Sequence, residues 1–334
     1  MSGAANPGKD RMFGVLCIAG TLIGWASILL FLKHLAPYLD GYTTNGWRYG
    51  ISAILWLPLI IHKASRGTLP KGIWWRAIPP SVFNCLGQIL YAMVVYYIGP
   101  ALGGFLIRVS IVSSTIGAFI LFADERVLLR SGIFWVGMCM VISGSVGTVM
   151  LGSAPIQGAN AIGIALGATS GLLFGLYGVG VRYCMRGISA MTSFSVISLY
   201  TSAGLVVLML VRGRNHGLDV LQLSAFNAFI LLASAIIGIA ICHVAYYAAI
   251  TRLGVAVSTA IVQLSPFLCA IGSLILYHEV LNQGQWLSGF LMIGGAMCLL
   301  TAEQARHRLS AKAPVIAGEL GEAAQTPTLQ ATRR

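Results

Sequence analysis

Ten apolar runs follow one another along the chain with little between them: 12–36, 41–62, 77–98, 100–123, 131–151, 161–183, 189–211, 224–250, 254–277 and 284–304. A helix needs about 20 apolar residues to cross the hydrocarbon of a bilayer, and each run supplies them. Only 9% of the 334 residues are charged, whereas soluble domains carry about a quarter. The mean hydropathy of +0.84 points the same way. Such a chain cannot hide its apolar surface in a water-soluble core. The expected fold class is therefore an all-α integral membrane protein with ten transmembrane helices. The first run exceeds the apolar segment of a signal peptide, about 7–15 residues, and no small-x-small site follows it promptly. It reads as a retained span.

The formal net charge of +12 finds its account in topology rather than in nucleic acid, because cytoplasmic loops collect Lys and Arg. With the N-terminus inside, sixteen of the 21 basic residues fall on the cytoplasmic side. Lys33, Arg212 and Arg214 fall outside, and Arg48 and Arg108 within spans. Both termini are expected in the cytoplasm, and the setting expected is a bacterial inner membrane. The loops leave no room for an extramembrane domain. The end of the chain, 305–334, is rich in Ala, Thr, Gln and Pro without apolar period and reads as a disordered tail. The seven cysteines show no CxxC pair or metal spacing and read as small apolar residues. No metal or cofactor is implied.

The chain repeats itself. "SSTIGAFILFADERVL" (113–128) is echoed by "PFLCAIGSLILYHEVL" (266–281), and "FGVLCIAGTLIGWASILLFLK" (13–33) by "IGIALGATSGLLFGLYGVGVR" (162–182). Each copy holds five spans. Five is odd, so the second copy enters the membrane from the opposite side: a 5+5 inverted repeat, the plan of many secondary transporters, whose site lies near the midplane between halves. The expected parts are a cytoplasmic segment 1–11, a first repeat 12–151, an external linker 152–160, a second repeat 161–304 and the tail.

These residues resemble the EamA-like branch of the drug/metabolite transporter superfamily. Its members typically end the fourth helix of each half with a Glu before a glycine-bearing helix. The matching stretches here are "FADERVLLRSGIFWVGMCMVISG" and "YHEVLNQGQWLSGFLMIGG". Pro266 stands thirteen residues before Glu279, as is common in the family, while the first half has Val112 at the matching position. Arg48 matches an arginine that many members carry in the second helix. The resemblance implies alternating access, a small-molecule substrate and export.

Most notable residues have a structural reading. Glu125 and Glu279 close apolar helices, where water reaches them and a carboxylate satisfies the N–H groups of a following helix. Gly163, Gly167, Gly171 and Gly175 share one helical face, which lets a neighbouring backbone approach closely. Pro266 frees backbone carbonyls that must find partners in protein or cavity. Arg48 has polar residues behind it and reads as structural or interfacial.

The candidate substrate-binding residues are Arg108, Gln263, Gln88, Tyr91, Trp25, Tyr177, His243 and Ser265. All are polar or aromatic groups deep in spans, and polar groups there usually face the bundle interior. His243 has no intramembrane carboxylate on its helix to partner it, which argues against proton relay. Arg108 lies one residue from the position matching Gln263, at a level where the other half also places a polar group. It faces a cavity or else snorkels to the outer headgroups. No span has an acidic residue at its middle, so lipophilic cations find no counter-charge. A carboxylate or phosphate suits Arg108 through a bidentate contact, and amino acids fit best; other metabolites, nucleosides, sugars or cationic drugs are the alternative cargo. No GxxxxGK[ST] motif is present to use ATP. "GATSG" and "SGSVG" do not make the GxSG of an intramembrane serine protease. The expected partners are a small molecule and the lipid bilayer, with no nucleic acid; a homo-oligomer is left open.

Overall fold

The computed structural model describes residues 7–152, 157–253, 258 and 261–324. Helices α1 (Pro7–Leu35), α2 (Gly41–Ser65), α3 (Ile73–Val94), α4 (Pro100–Leu106), α5 (Ser110–Leu121) and α6 (Gly132–Met150) come first. They are followed by α7 (Gly158–Cys184), α8 (Ala190–Arg212), α9 (Ala225–Ala235), α10 (Cys242–Leu253), α11 (Ser265–Tyr277) and α12 (Gln283–Ala324). A 3₁₀ turn at Ile107–Val109 joins α4 and α5 into one rod, and a π turn at Ile236–Ile241 joins α9 and α10.

Among the described residues, 8 helices are long and apolar enough to cross a membrane. Their outward residues belong in lipid: Ile54, Ile120, Val211, Ile275 and Leu287 are each 67–69% exposed. The protein is all-α and multi-pass.

Two of the ten expected spans fall short of that measure. α2 has the length, 25 residues, but its first half is polar. Thr43, Thr44, Asn45, Arg48 and Ser52 of α2 are all buried, so this polarity meets protein rather than lipid. α11 is a helix of only 13 residues that starts with Ser265 and Pro266. Of the expected span 254–277, residues 254–257 and 259–260 lie outside those described. The last helix differs in the other direction and continues to Ala324, where an unstructured end was expected from 305. Its segment 302–312 is dense in Ala, Gln, Arg and other good helix formers. Residues 325–334 lie outside the described set.

The helix contacts come in pairs related by exchanging the α1–α6 part of the chain with the α7–α12 part. α3 lies on α7 and α1 on α10; α5 lies on α7 and α1 on α11; α3 meets α8 and α2 meets α9. The pairs α2–α8, α4–α11 and α6–α12 are their own counterparts under this exchange.

The glycine face of α7 runs along the rod of α4 and α5. A Cβ at Gly163 would press on Tyr97 and Ile98, one at Gly167 on Leu106, and one at Gly171 on the Ile107 carbonyl at 2.8 Å. At Gly175 it would overlap the Ser110 carbonyl and the Ser113 hydroxyl, itself donating to the Leu172 carbonyl at 2.8 Å. Backbone contact of this kind replaces the hydrophobic drive that lipid cannot supply. Gly175→Val is therefore expected to lower the melting temperature and the folded yield sharply, read by fluorescence-detected size exclusion. A variant as stable as the parent would contradict this packing.

Asp40 fixes one end of the bundle. Its Oδ1 caps α2, accepting from the backbone N–H groups of Tyr42 (2.9 Å) and Thr43 (3.0 Å). Its Oδ2 accepts from the Thr43 hydroxyl at 2.6 Å and the Arg214 backbone N–H at 2.9 Å. Burial pushes the carboxyl pKa up, but these hydrogen bonds outweigh it and hold the pKa below the ordinary 3.8. A depressed carboxylate stabilises fully above its unfolded value and loses that effect as pH falls through the folded one. Asp40→Ala should cost about 1 kcal/mol at neutral pH. The gap in thermal stability between variant and parent should narrow as pH falls below 3.8; a gap that widens would contradict the assignment.

Candidate functional site

A cavity of about 490 Å³ lies between the α1–α6 part of the chain and the α7–α12 part. α1, α3 and α4–α5 line it from one part, and α7, α10 and the 262–269 region from the other. All eight residues singled out as candidate substrate contacts line it.

Arg108 sits on the 3₁₀ turn, and Gln263 on a turn at 263–264 just before α11. Both rods are thus interrupted at the level of the cavity. The Arg108 guanidinium reaches across: Nη1 donates to Gln263 Oε1 at 3.0 Å, and Nη2 donates to Ser265 Oγ and to the Val262 carbonyl, the latter at 3.5 Å. Through these contacts the side chain lines the cavity. Its Nε is buried with no acceptor among the described residues. Among the described residues, all its protein partners are neutral and no carboxylate lines the cavity.

His243 stands two residues past the π turn. Its Nδ1 bonds the Ile239 carbonyl at 2.8 Å, which makes Nδ1 the donor and leaves Nε2 as acceptor in the neutral ring. The ring stacks on Phe194, with centroids 4.3 Å apart, and meets Trp25 edge-on at 5.4 Å. Trp25 also touches Tyr246, at 5.1 Å. Tyr91 and Phe174 pair at 5.8 Å on the wall formed by α3 and α7, and Tyr177 lies one turn beyond Phe174. Gln88 faces the cavity with its side chain, while its backbone carbonyl accepts from Asn45 Nδ2 at 2.6 Å.

Further lining residues had not been singled out: Asn84, Ser110, Ser114, Phe174, Tyr246 and Cys269 among them. A signal for Asn84 existed. It precedes Gln88 by four and Tyr91 by seven residues, which is one helical face. Its Nδ2 donates to Thr201 Oγ1 at 3.1 Å.

Arg48 lies outside the cavity lining and is 1% exposed. Nε donates to Ser234 Oγ at 3.0 Å, tying α2 to α9, and Nη1 to Asn45 Oδ1 of α2 itself at 2.9 Å. Glu279 does not serve the helix that follows it. The start of α12 is closed by a reciprocal pair, Asn282 Oδ1 accepting from Gln285 N–H (2.9 Å) and Gln285 Oε1 from Asn282 N–H (3.1 Å). Glu279 instead caps α4, accepting from the backbone N–H of Ala101 at 2.9 Å and of Leu102 at 3.4 Å, with Ser273 Oγ as a further donor. Gly99, at the α4 N-cap, leaves the room: any Cβ there would strike the carboxylate. The Glu125 side chain lies outside the described residues.

The EamA-like transporter family model matches residues 12–150 and again residues 161–301. The chain belongs to the EamA-like transporter family. It is a membrane transporter of the drug/metabolite superfamily that moves small solutes, not an enzyme. Its fold is also that of a solved crystal structure, aligned at TM-score 0.55 and 15% identity over 87% of this chain and 95% of that one. No curated protein gives a significant match.

Glu279→Ala removes the acceptor of two backbone N–H groups and a hydroxyl. It should cost about 1–3 kcal/mol, as expected for partly buried donors left unpaired, with Glu279→Gln intermediate. Denaturant titration by tryptophan fluorescence reads this; equal stability of the alanine variant would remove the capping role.

Proposed function

We propose that this transporter exports a small carboxylate-bearing metabolite, an amino acid or close relative, by alternating access through the central cavity. The carrying observation is Arg108, a cation at the cavity wall with only neutral protein partners. A charge at membrane depth costs a few kcal/mol or more, and neutral hydrogen bonds offset only part of that. An anionic group in the cavity supplies the rest, with Gln263 and Ser265 holding the guanidinium in place. Gln88 and His243 Nε2 offer polar contacts to a second group on the solute, and Trp25, Tyr91 and Tyr177 wall its apolar body.

Two repeats, 12–151 and 161–304 joined by 152–160, form a ten-span 5+5 inverted bundle in this reading. Its supports are the two successive family matches and the packing pattern that survives exchange of halves. The basic bias then places both termini in the cytoplasm of a bacterial inner membrane. Arg48, Glu125, Glu279, Pro266 and the α7 glycines serve structure.

Purified protein should be thermally stabilised by carboxylate-bearing solutes in a panel of amino acids, organic acids, nucleosides, sugars and cationic dyes. Arg108→Ala should weaken that binding roughly 10- to 100-fold, the equivalent of about 1.5–3 kcal/mol for bonds to a charged group. Stabilisation by cationic dyes alone, unchanged in Arg108→Ala, would overturn the proposal.

A further inference from the structure

The central cavity does not end at its own wall. A second cavity of about 220 Å³ borders it, lined by Ala118 and Phe119 of α5, Val179 and Arg182 of α7, Phe134 of α6 and Leu299 of α12. The two share Ser114 and Gly178, so these residues stand where one space gives way to the other.

Gly178 is unlike the glycines before it on α7. A Cβ at Gly171 or Gly175 would strike the neighbouring backbone, whereas one at Gly178 would meet nothing within 4 Å. Glycine inside a helix costs about 1 kcal/mol relative to alanine, and no close approach asks for it at this position. What a side chain would take away at Gly178 is open space between the cavities. Beyond the gap the lining is apolar, apart from Ser114, Thr115 and Arg182. The Arg182 guanidinium lies 4.3 Å over the Phe122 ring. The route thus has an arginine at each end, Arg108 within and Arg182 at the far rim.

We propose that solute passes between the central cavity and the membrane face where α5 and α7 end through the gap at Gly178, with Arg182 at its mouth. The proposal rests on the transporter reading and deepens it: an apolar body carrying one anionic group suits both ends of the route.

The test uses the full chain in detergent and needs no identified solute. Ser110→Cys places a thiol in the central cavity, and sulfonatoethyl methanethiosulfonate, an anionic water-soluble reagent, is the probe. Its reaction at that position is followed by peptide mass spectrometry. Adding Gly178→Trp should slow the reaction at least tenfold. Gly20→Trp, on an exposed and equally open position of α1, should leave it unchanged. Should the Gly178 variant fold poorly, Ala118→Trp plugs the outer cavity and carries the same expectation. Arg182→Gln should slow the anionic reagent relative to its trimethylammonium counterpart, each rate normalised to that with free cysteine. A Ser110→Cys thiol that reacts at full speed behind a folded plug would overturn the route. These rates do not depend on which solute binds, so they stand apart from the Arg108→Ala binding result.

Discussion

In hydrocarbon a helix can be interrupted only where protein or a cavity receives the freed backbone groups, because lipid offers them no partner. Two interruptions here, the 3₁₀ turn at Ile107–Val109 and the turn at 263–264, face each other across the central cavity. The first is held by α7, whose Gly171 lies against the Ile107 backbone. The second is followed by Pro266, which needs no intrahelical acceptor at the first turn of α11. The break carries Arg108 inward, and the opposing break supplies Gln263 and Ser265 to receive it. Cavity, interruption and cation are one arrangement.

Two arginines within the spans show how differently the same charge can be housed. Arg48 is enclosed, its Ser234 contact joining α2 to α9 while Asn45, on α2 itself, takes a second N–H. Arg108 is only partly buried, at the wall of a cavity, with Nε unmatched. A hydrogen bond to a charged group contributes about 1.5–3 kcal/mol, set against a cost of several for the desolvated charge. Arg48 meets that cost inside the fold and fixes a helix contact. In the proposed function, Arg108 leaves part of it to be met by what enters the cavity, a role in recognition rather than in scaffolding.

Much of this was legible in the chain, for reasons that differ by residue. Apolar run length marked the rods, since bilayer thickness sets it, and polarity at depth marked the lining, since lipid excludes it. Period-four glycines marked the clasp on α7. α2 shows where mean hydropathy understates a helix: its inward polar face lowers the apolar signal without moving the helix. The 3₁₀ turn was not legible, because Ile107, Arg108 and Val109 include neither Pro nor Gly and the backbone packed against it belongs to Gly171 of α7, distant in the chain. The partner of Glu279 was hidden for a similar reason. Ala101 is 178 residues away, and the adjacent α12 start, which looked like the natural claimant, closes on itself through Asn282 and Gln285.

The rod of α4 and α5 orders these features along one line. Ala101, held by Glu279, lies seven residues before Arg108; Ser114, at the gap, lies six after it. At the helical rise each is about 10 Å from the cation, in opposite directions. Near the Glu279 end, neighbouring rods are tied further, Lys33 Nζ donating to the Val95 carbonyl at 2.9 Å and the Tyr277 hydroxyl to the Leu30 carbonyl at 2.6 Å. Toward the gap, the Cβ position of Gly178 is empty to 4 Å. In the alternating-access cycle proposed above, one end of such a line is bonded shut while the other admits solute. A carboxylate on backbone N–H groups suits the closed end, because it holds two rods by few bonds that water can replace one at a time. A largely apolar gap suits the open end of that proposed cycle, because between Arg182 at the mouth and Arg108 within it offers a passing solute little to hold it.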